Sequence, residues 1–248
     1  TSSHFSTAVG RRCLYRLTSG GNNTAMGQGC AQHVTTGTLN TAMGGDALQQ
    51  NTTGSSNVAI GRVALAANTT GGGNVAVGKD SAVSNNGSNN VVIGTDAMQA
   101  ATGVNKTVAI GDQAMFTHTG TGDEHNVYIG FKAGYDGTTA YSNTFVGGLS
   151  GENVTTCNNS TFIGKSSGNT VTTGSHNICL GNDSNPSSAT SGHQCTLGSG
   201  QINNLRCNDT SISSLSDERD KTEIIDLPIG LDFINGLKPR KFKWATRD

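Results

Sequence analysis

The chain has 248 residues and a net charge of −1, so it presents no strong basic footprint for nucleic acid or an anionic membrane. Only 33% of its residues are hydrophobic while 35 are glycine, which leaves two classes: a disordered low-complexity chain, or a repeat fold with a thin, regular core. No apolar run reaches the roughly 18 residues that a transmembrane helix needs, and no signal peptide is recognisable. Because the chain opens on Thr1, we expect it to be part of a longer protein.

A five-residue motif that closes on glycine recurs along most of the chain, as in NTAMG at 40–44 and NVAIG at 57–61. The twelve closing glycines are Gly10, Gly27, Gly44, Gly61, Gly78, Gly94, Gly111, Gly130, Gly147, Gly164, Gly181 and Gly198. Nine of the eleven intervals between them are 17 residues, and the other two are 16 and 19. This regularity excludes disorder, and the period is too short for helical repeats, which need about 33 residues or more. We therefore predict an all-β chain, a parallel β-solenoid of about 12 rungs over residues 1–200.

The residues around each closing glycine predict how one rung is built, with positions counted from that glycine. Position −1 is always Val, Met, Ile or Leu and position −3 is Thr, Val, Ile or Cys, so both lie on one side of a strand. Position +3 is nearly always small, which predicts a second, tightly packed strand. The glycine itself predicts a corner where a Cβ would clash or φ is positive. Asn occupies position −4 in eight of the twelve motifs, which predicts an amide-bonded ladder.

The predicted core contains mostly Ala, Val and Ile, which is thin for a single chain. Such a rod gains stability when several chains share apolar surface, and we therefore expect a homotrimer. At position −2, Ala in the early motifs gives way to Tyr128, Phe145 and Phe162. This change predicts a widening cross-section or a tighter subunit contact towards the C-terminus.

Aromatic residues follow the one expanded interval, which carries the segment HTGTGDEH at 118–125. Phe131 occupies position +1, where the other motifs carry polar residues or glycine, so it should be exposed. Tyr135 and Tyr141 are near it in sequence. Exposed aromatics on a fibre can stack on sugar rings or contact a receptor, and these three residues are candidate receptor contacts. The alternative, which we favour, is packing against the longer loop or a neighbouring subunit.

Histidine and cysteine residues also recur in register. His125, His176 and His193 each precede a repeat glycine by five residues, and threefold symmetry would let such rings surround a metal. A solvated corner is the favoured interpretation, so no metal site and no cofactor are predicted. Cys13 and Cys30 lie in register on adjacent rungs within disulfide range, but small core residues are the favoured interpretation.

The composition changes after the last repeat. Residues 201–215 alternate as a short connecting β segment would. Residues 1–215 hold 19 charged residues, whereas the 33 residues of 216–248 hold 14, which predicts a separate small α+β domain. Asp226 can cap a helix with Pro228 in its first turn. That helix ends at Lys238–Pro239, and residues 240–244 alternate as a strand would.

The repeats resemble the heads of trimeric autotransporter adhesins and, more closely, related repeats in phage and algal-virus fibre proteins. The motifs NTAMG and NVAIG, each followed by two residues and then Ala-Leu, carry this resemblance, which covers residues 6–198. The adhesin heads are left-handed parallel β-rolls, three to a head. The resemblance therefore implies a trimeric fibre or spike.

Residues 216–248 resemble the start of the intramolecular chaperone domain of phage tailspikes, a peptidase S74-type domain shared with the myelin regulatory factor. The family motif Ser-Asp-x-Arg-x-Lys stands here as SDERDK at 216–221, before GLDFINGLKP at 230–239. The resemblance implies that Ser216 is the nucleophile, Lys221 the general base, and the Leu215–Ser216 bond the one cleaved. Residues five apart do not share a helix face, so the pair needs a turn between them or a lysine from another chain. The alternative is that Ser216 caps a helix whose first turn is acidic.

The function expected from these features is a structural, host-attachment fibre on a virion surface. Its partners would be a host glycan or protein receptor and other virion or tail proteins, without nucleic acid or membrane insertion. One alternative is a fibre-borne polysaccharide depolymerase, which needs two carboxylates about 5–10 Å apart. Asp123 with Glu124 is the only close acidic pair before Ser216. Another alternative is a bacterial trimeric adhesin head, which should precede a coiled coil and a membrane anchor.

Overall fold

A computed structural model describes residues 5–203, and residues 1–4 and 204–248 lie outside the described part. The described residues form strands and turns without a helix. Twelve strands form one parallel sheet and two further strands form a second. In chain order they are β1 (Thr7–Val9), β2 (Thr24–Met26), β3 (Thr41–Met43), β4 (Val58–Ile60), β5 (Val75–Val77), β6 (Val91–Ile93), β7 (Val104–Asn105), β8 (Val108–Ile110), β9 (Gly122–Asp123), β10 (Val127–Ile129), β11 (Thr144–Val146), β12 (Thr161–Ile163), β13 (Ile178–Leu180) and β14 (Cys195–Leu197).

Each strand of the large sheet pairs in register with the same motif one repeat later, as Val58 pairs with Val75 between β4 and β5. The chain therefore makes eleven turns between β1 and β14. This pairing confirms the prediction of a parallel β-solenoid with a period of about 17 residues. At a strand spacing of about 4.8 Å, the sheet is roughly 53 Å long.

In the strands of the large sheet between its two end strands, β1 and β14, the middle residue is buried and points into the solenoid, and its two neighbours point outwards. In β4, Ala59 is fully buried whereas Ile60 is 37% exposed. Positions −1 and −3 therefore share one side, as predicted, and that side faces outwards. The predicted core of Ala, Val and Ile is correct for Ala but wrong for Ile and for most Val residues of the motifs, which lie on this outward face.

The segment after each glycine is a series of turns rather than the predicted second strand. Position +3 is buried, as its small side chain suggested, for example at Ala47. Positions +2 and +4 adopt left-handed φ, as in Asp46 at 55° and Leu48 at 52°. Left-handed residues at every second position prevent an extended pleat. Adjacent rungs are nevertheless joined here, because the Leu48 N–H donates to the Ala64 carbonyl at 2.9 Å.

Positions −2 and +4 of one rung both lie in the core, and the bulkiest residues at position −2 stand opposite glycine at position +4. Where position −2 is Ala, position +4 is Leu, Met or Ala, as with Ala59 and Leu65. Where position −2 is aromatic, position +4 is glycine, in the pairs Tyr128–Gly134, Phe145–Gly151 and Phe162–Gly168. A Cβ on Gly151 would lie 2.6 Å from the Phe145 ring.

The three core aromatics form one buried stack. Phe145 lies between Tyr128 and Phe162, with ring centroids 4.8 and 4.6 Å apart. All three side chains are fully buried within their own chain. The predicted subunit contact at these rings is therefore wrong. The rung does not need to widen either, because the glycines opposite the rings leave the space that they occupy.

The repeat glycines are required by both backbone conformation and packing. Gly61 has φ +136°, and a Cβ there would lie 2.3 Å from the carbonyl oxygen of Gly78 in the next rung. No L-residue with a side chain meets both conditions without strain. The predicted corner is confirmed.

Asn side chains at position −4 form the predicted ladder inside the solenoid. Asn57 Nδ2 donates to Asn40 Oδ1 at 3.1 Å and to the Gly71 carbonyl at 2.9 Å. Asn57 Oδ1 accepts both the backbone N–H and the Nδ2 of Asn74. Because these buried amides bond to one another, the column stabilises the stack and fixes the register of adjacent rungs.

The expanded interval carries the second sheet. β9 pairs in parallel with β7 one turn before it, and Asp123 of β9 forms a surface ion pair with Lys106. Residues 201–203 contain no strand. The rest of the predicted connecting segment, and the predicted chaperone domain at 216–248, lie outside the described residues.

Candidate functional site

The predicted catalytic residues Ser216 and Lys221, with the cleavage site after Leu215, lie outside the described residues. Their roles stay predictions from the SDERDK motif. The described residues offer two other features, a long apolar face and an aromatic patch.

The outer sheet face consists of the side chains at positions −1 and −3 of the twelve paired strands. Its 24 positions hold only Thr, Val, Ile, Met, Leu and Cys, so the face carries no charge. Eight of the twelve residues at position −1 are exposed, among them Val9 at 53%, Ile93 at 38% and Leu197 at 49%, and the other four are half-buried. Because the strands pair in register, the side chains form two straight columns.

The aromatic patch lies on the turn segment after Gly130. Phe131 is 50% exposed, which confirms the prediction for this residue. Tyr135 stacks on Phe116 of the preceding rung, with ring centroids 5.1 Å apart and planes 11° apart. The Lys132 ammonium lies 4.7 Å from the centroid of the Tyr135 ring and 5.6 Å from that of Phe131. Lys132 therefore joins the two rings in one patch through cation–π contacts.

Tyr141 does not belong to this patch. It lies six residues before Gly147, in the segment that leads into the next strand, and it is 45% exposed. Its backbone N–H donates to Asn158 Oδ1 at 2.9 Å, and it has no aromatic contact among residues 5–203. The structure thus brings together two of the three candidate contacts and leaves the third apart.

The register histidines lie at solvated corners, as favoured. His176 and His193 stack with centroids 4.6 Å apart, whereas His125 is exposed without such a partner. In the described part of the chain, no group of three or more His, Cys, Asp or Glu residues could hold a metal ion. Cys13 and Cys30 are free thiols, and burial raises the pKa of Cys30 to about 12.

A buried polar pair inside the expanded rung was not predicted. His118 is fully buried, and its Nε2 lies 3.6 Å from Oε2 of the largely buried Glu124. Burial lowers the pKa of His118 to about 4 and raises the pKa of Glu124. The sequence held one signal for this pair, since His118 occupies position +7, which other rungs fill with residues such as Val34 and Val154.

The acidic pair considered for a depolymerase does not converge. Asp123 is exposed and forms an ion pair with Lys106, whereas Glu124 points into the core beside His118. The two carboxylates therefore do not flank one accessible space, as a glycosidase pair must.

Within residues 5–203 there is no helix long and apolar enough to cross a membrane. Compared with known proteins, the chain matches no family model, no curated protein and no solved structure.

Proposed function

We propose that the chain is part of a homotrimeric attachment fibre on a virion surface, assembled through the outer sheet face. The observation that carries this proposal is the size and the uncharged character of that face. Two columns about 7 Å apart along a sheet of roughly 53 Å give an uncharged, mostly apolar strip of about 400 Å². The largest apolar patch on a typical monomer is about 300–600 Å² and is often functional. This strip is of that size, and its unbroken length without any charge favours a contact with a partner.

Three copies around one axis would let each strip contact two neighbours. The in-register columns suit such packing, because equivalent side chains recur at one spacing along the whole axis. The number three rests on the resemblance to trimeric adhesin heads and viral fibres. A depolymerase is not proposed, because Asp123 and Glu124 point to opposite sides of the chain wall.

Attachment is tested by binding the labelled full-length chain to a panel of bacterial and unicellular algal cells. We expect binding to at least one cell type, and we expect Ile60→Glu to weaken it at least tenfold, because a charge on the outer sheet face separates the chains and removes multivalent contact. The matched control is Thr53→Glu, an exposed residue outside that face. Equal loss in both variants, or binding by neither wild type nor control, would contradict the proposal.

The C-terminal segment would assist assembly and then release itself. Ser216 Oγ would attack the Leu215 carbonyl carbon while Lys221 accepts the hydroxyl proton and passes it to the leaving nitrogen. The Leu215–Ser216 C–N bond breaks to leave an ester and a free Ser216 amine, and water then hydrolyses the ester. The SDERDK motif supports this step. The denatured intact mass of a chain extended through its natural stop codon, beside Ser216→Ala, tests it. We expect a fragment that ends at Leu215 in the wild type only. A full-length mass in both would mean that Ser216 is a helix cap.

A further inference from the structure

The regular repeat changes in two ways at one place on the surface, where one rung is expanded and aromatic residues replace the usual side chains. The expanded rung ends at Gly130, and the residue directly after it is aromatic where the other rungs carry polar residues or glycine. Position +1 is Phe131, and position +5 is aromatic in two adjacent rungs, at Phe116 and Tyr135. Elsewhere in the described rungs these two columns contain one further aromatic residue, Tyr15. A local departure from a regular repeat marks this patch as different from the rest of the shaft.

The next rung leaves open space beside Phe131. Gly148 occupies position +1 there, and adjacent rungs are joined because the Leu149 N–H donates to the Phe131 carbonyl at 2.8 Å. A Cβ added at Gly148 would meet nothing closer than the Phe131 carbonyl oxygen at 4.0 Å. Gly148 does not have a left-handed φ, so the backbone does not require glycine. Because Gly148 has no side chain, it leaves a stretch of bare backbone, here called the shelf, next to the half-exposed ring of Phe131.

The groups around this shelf suit an uncharged, hydroxyl-rich ligand. One face of a pyranose ring presents C–H groups, which pack on an aromatic face and bury apolar area, while its edge presents hydroxyls. Lys132 forms no ion pair among residues 5–203 and can donate to such hydroxyls. Glu152, one rung on in the column of Tyr135, and Asp112, one rung before Phe131, can accept from them. Lys165, one rung on from Gly148 in the same column, adds a second ammonium. Two carboxylates and two ammoniums leave the surroundings without net charge, which suits a neutral sugar.

We propose that Phe131, Tyr135, Lys132 and the shelf at Gly148 form a binding site for one neutral hexose unit of a glycan. This inference rests on the proposed attachment function and names its receptor class. The site is shallow, so a single copy binds weakly. Three copies on one fibre would raise the apparent affinity, because the second and third contacts form at high effective concentration.

The test is a glycan array followed by saturation-transfer NMR on the full-length chain. The probes are neutral oligosaccharides of glucose, galactose and mannose, with sialyllactose as the acidic comparison. We expect a neutral probe to bind, and we expect Phe131→Ala and Gly148→Leu each to weaken it at least tenfold. The matched control for the shelf is Gly45→Leu, since Gly45 also occupies position +1 and an added Cβ meets no atom within 4 Å. The control for the ring is Tyr15→Ala.

Three results would overturn the site: no neutral probe binds, sialyllactose binds more tightly, or Phe131→Ala and Gly148→Leu bind as the wild type does. The cell-binding and hexose-binding experiments together distinguish a failure of the hexose site from a failure of the attachment function. Cell binding that persists in Gly148→Leu but is lost in Ile60→Glu would keep the fibre and reject the hexose site. Hexose binding by a chain that attaches to none of the cells would keep the site and reject the attachment proposal for those cells.

Discussion

Gly151→Leu is expected to destabilise the chain strongly, and Phe145→Ala in the same molecule is expected to restore much of that loss. A leucine at Gly151 would overlap the Phe145 ring, since even a Cβ would lie 2.6 Å from it. Overpacking of this kind costs about 1–3 kcal/mol or more. Phe145→Ala alone leaves a cavity and costs about 3–5 kcal/mol. The double variant recreates the Ala–Leu pair that Ala59 and Leu65 form in an earlier rung.

The left-handed backbone at this position does not forbid the exchange, because Leu48 and Leu65 adopt φ of 52° and 51° at equivalent positions. Urea unfolding of the four proteins gives the coupling free energy between the two sites. We expect the double variant to be more stable than either single variant. Gly45→Leu, at an open surface position, is the control and should unfold close to the wild type. Additive losses would mean that positions −2 and +4 do not share one core space.

Stability is expected to fall between pH 6.5 and about 4 because of His118. Burial lowers the pKa of this imidazole to about 4, so over that range the unfolded chain binds a proton that the folded chain does not. The free energy of unfolding therefore decreases on acidification, by up to about 3 kcal/mol from this group. Glu124 acts in the opposite sense, because burial raises its pKa and its protonation on acidification favours the folded state. The observed loss is thus the difference between the two effects.

His118→Asn separates these contributions. Asn51, Asn68 and Asn85 occupy the same position in other rungs, so the amide suits the site. We expect the variant to be less sensitive to acid than the wild type when urea unfolding is compared at pH 7 and 4.5. His176→Asn is the control, since His176 is exposed and Asn22 and Asn89 occupy the same position in other rungs, and this variant should keep the acid sensitivity of the wild type. An identical acid sensitivity in wild type and His118→Asn would show that this histidine does not set it.

The features predicted correctly from the sequence are those that one position determines alone. The twelve glycines and the Asn column recur at a fixed interval, and stacking places equivalent residues together whatever the rung's shape. The exposure of Phe131 followed in the same way from comparison of one column. Each of these predictions depends only on the 17-residue period.

The errors arose where the path of the chain within a rung matters. Asp tolerates a left-handed φ, as at Asp46, but Leu48 is not a residue whose type signals one, so the sequence does not distinguish this turn segment from a strand. The compensation between Phe145 and Gly151 depends on two positions that face each other across the core. A signal was present in the sequence, because glycine follows each core aromatic by six residues. The aromatic residue and the glycine come together only because the chain folds back within the rung, which the spacing alone does not show.

The same reason explains why the open shelf at Gly148 was not predicted. The site depends on two adjacent rungs, and its residues are separated by 17 positions in the chain. Tyr141, although close to Tyr135 in sequence, falls on another segment of the rung. Proximity in a solenoid follows the period rather than the distance along the sequence.

Assembly through the outer sheet face is the central claim, and the native mass of the 248-residue wild-type chain in solution tests it most directly. One chain has a mass of 25.4 kDa. At micromolar concentration we expect the wild type to have the mass of three chains by native mass spectrometry and sedimentation equilibrium, and Ile60→Glu to shift towards one. A wild-type chain that stays at the mass of one chain at every concentration would contradict the claim.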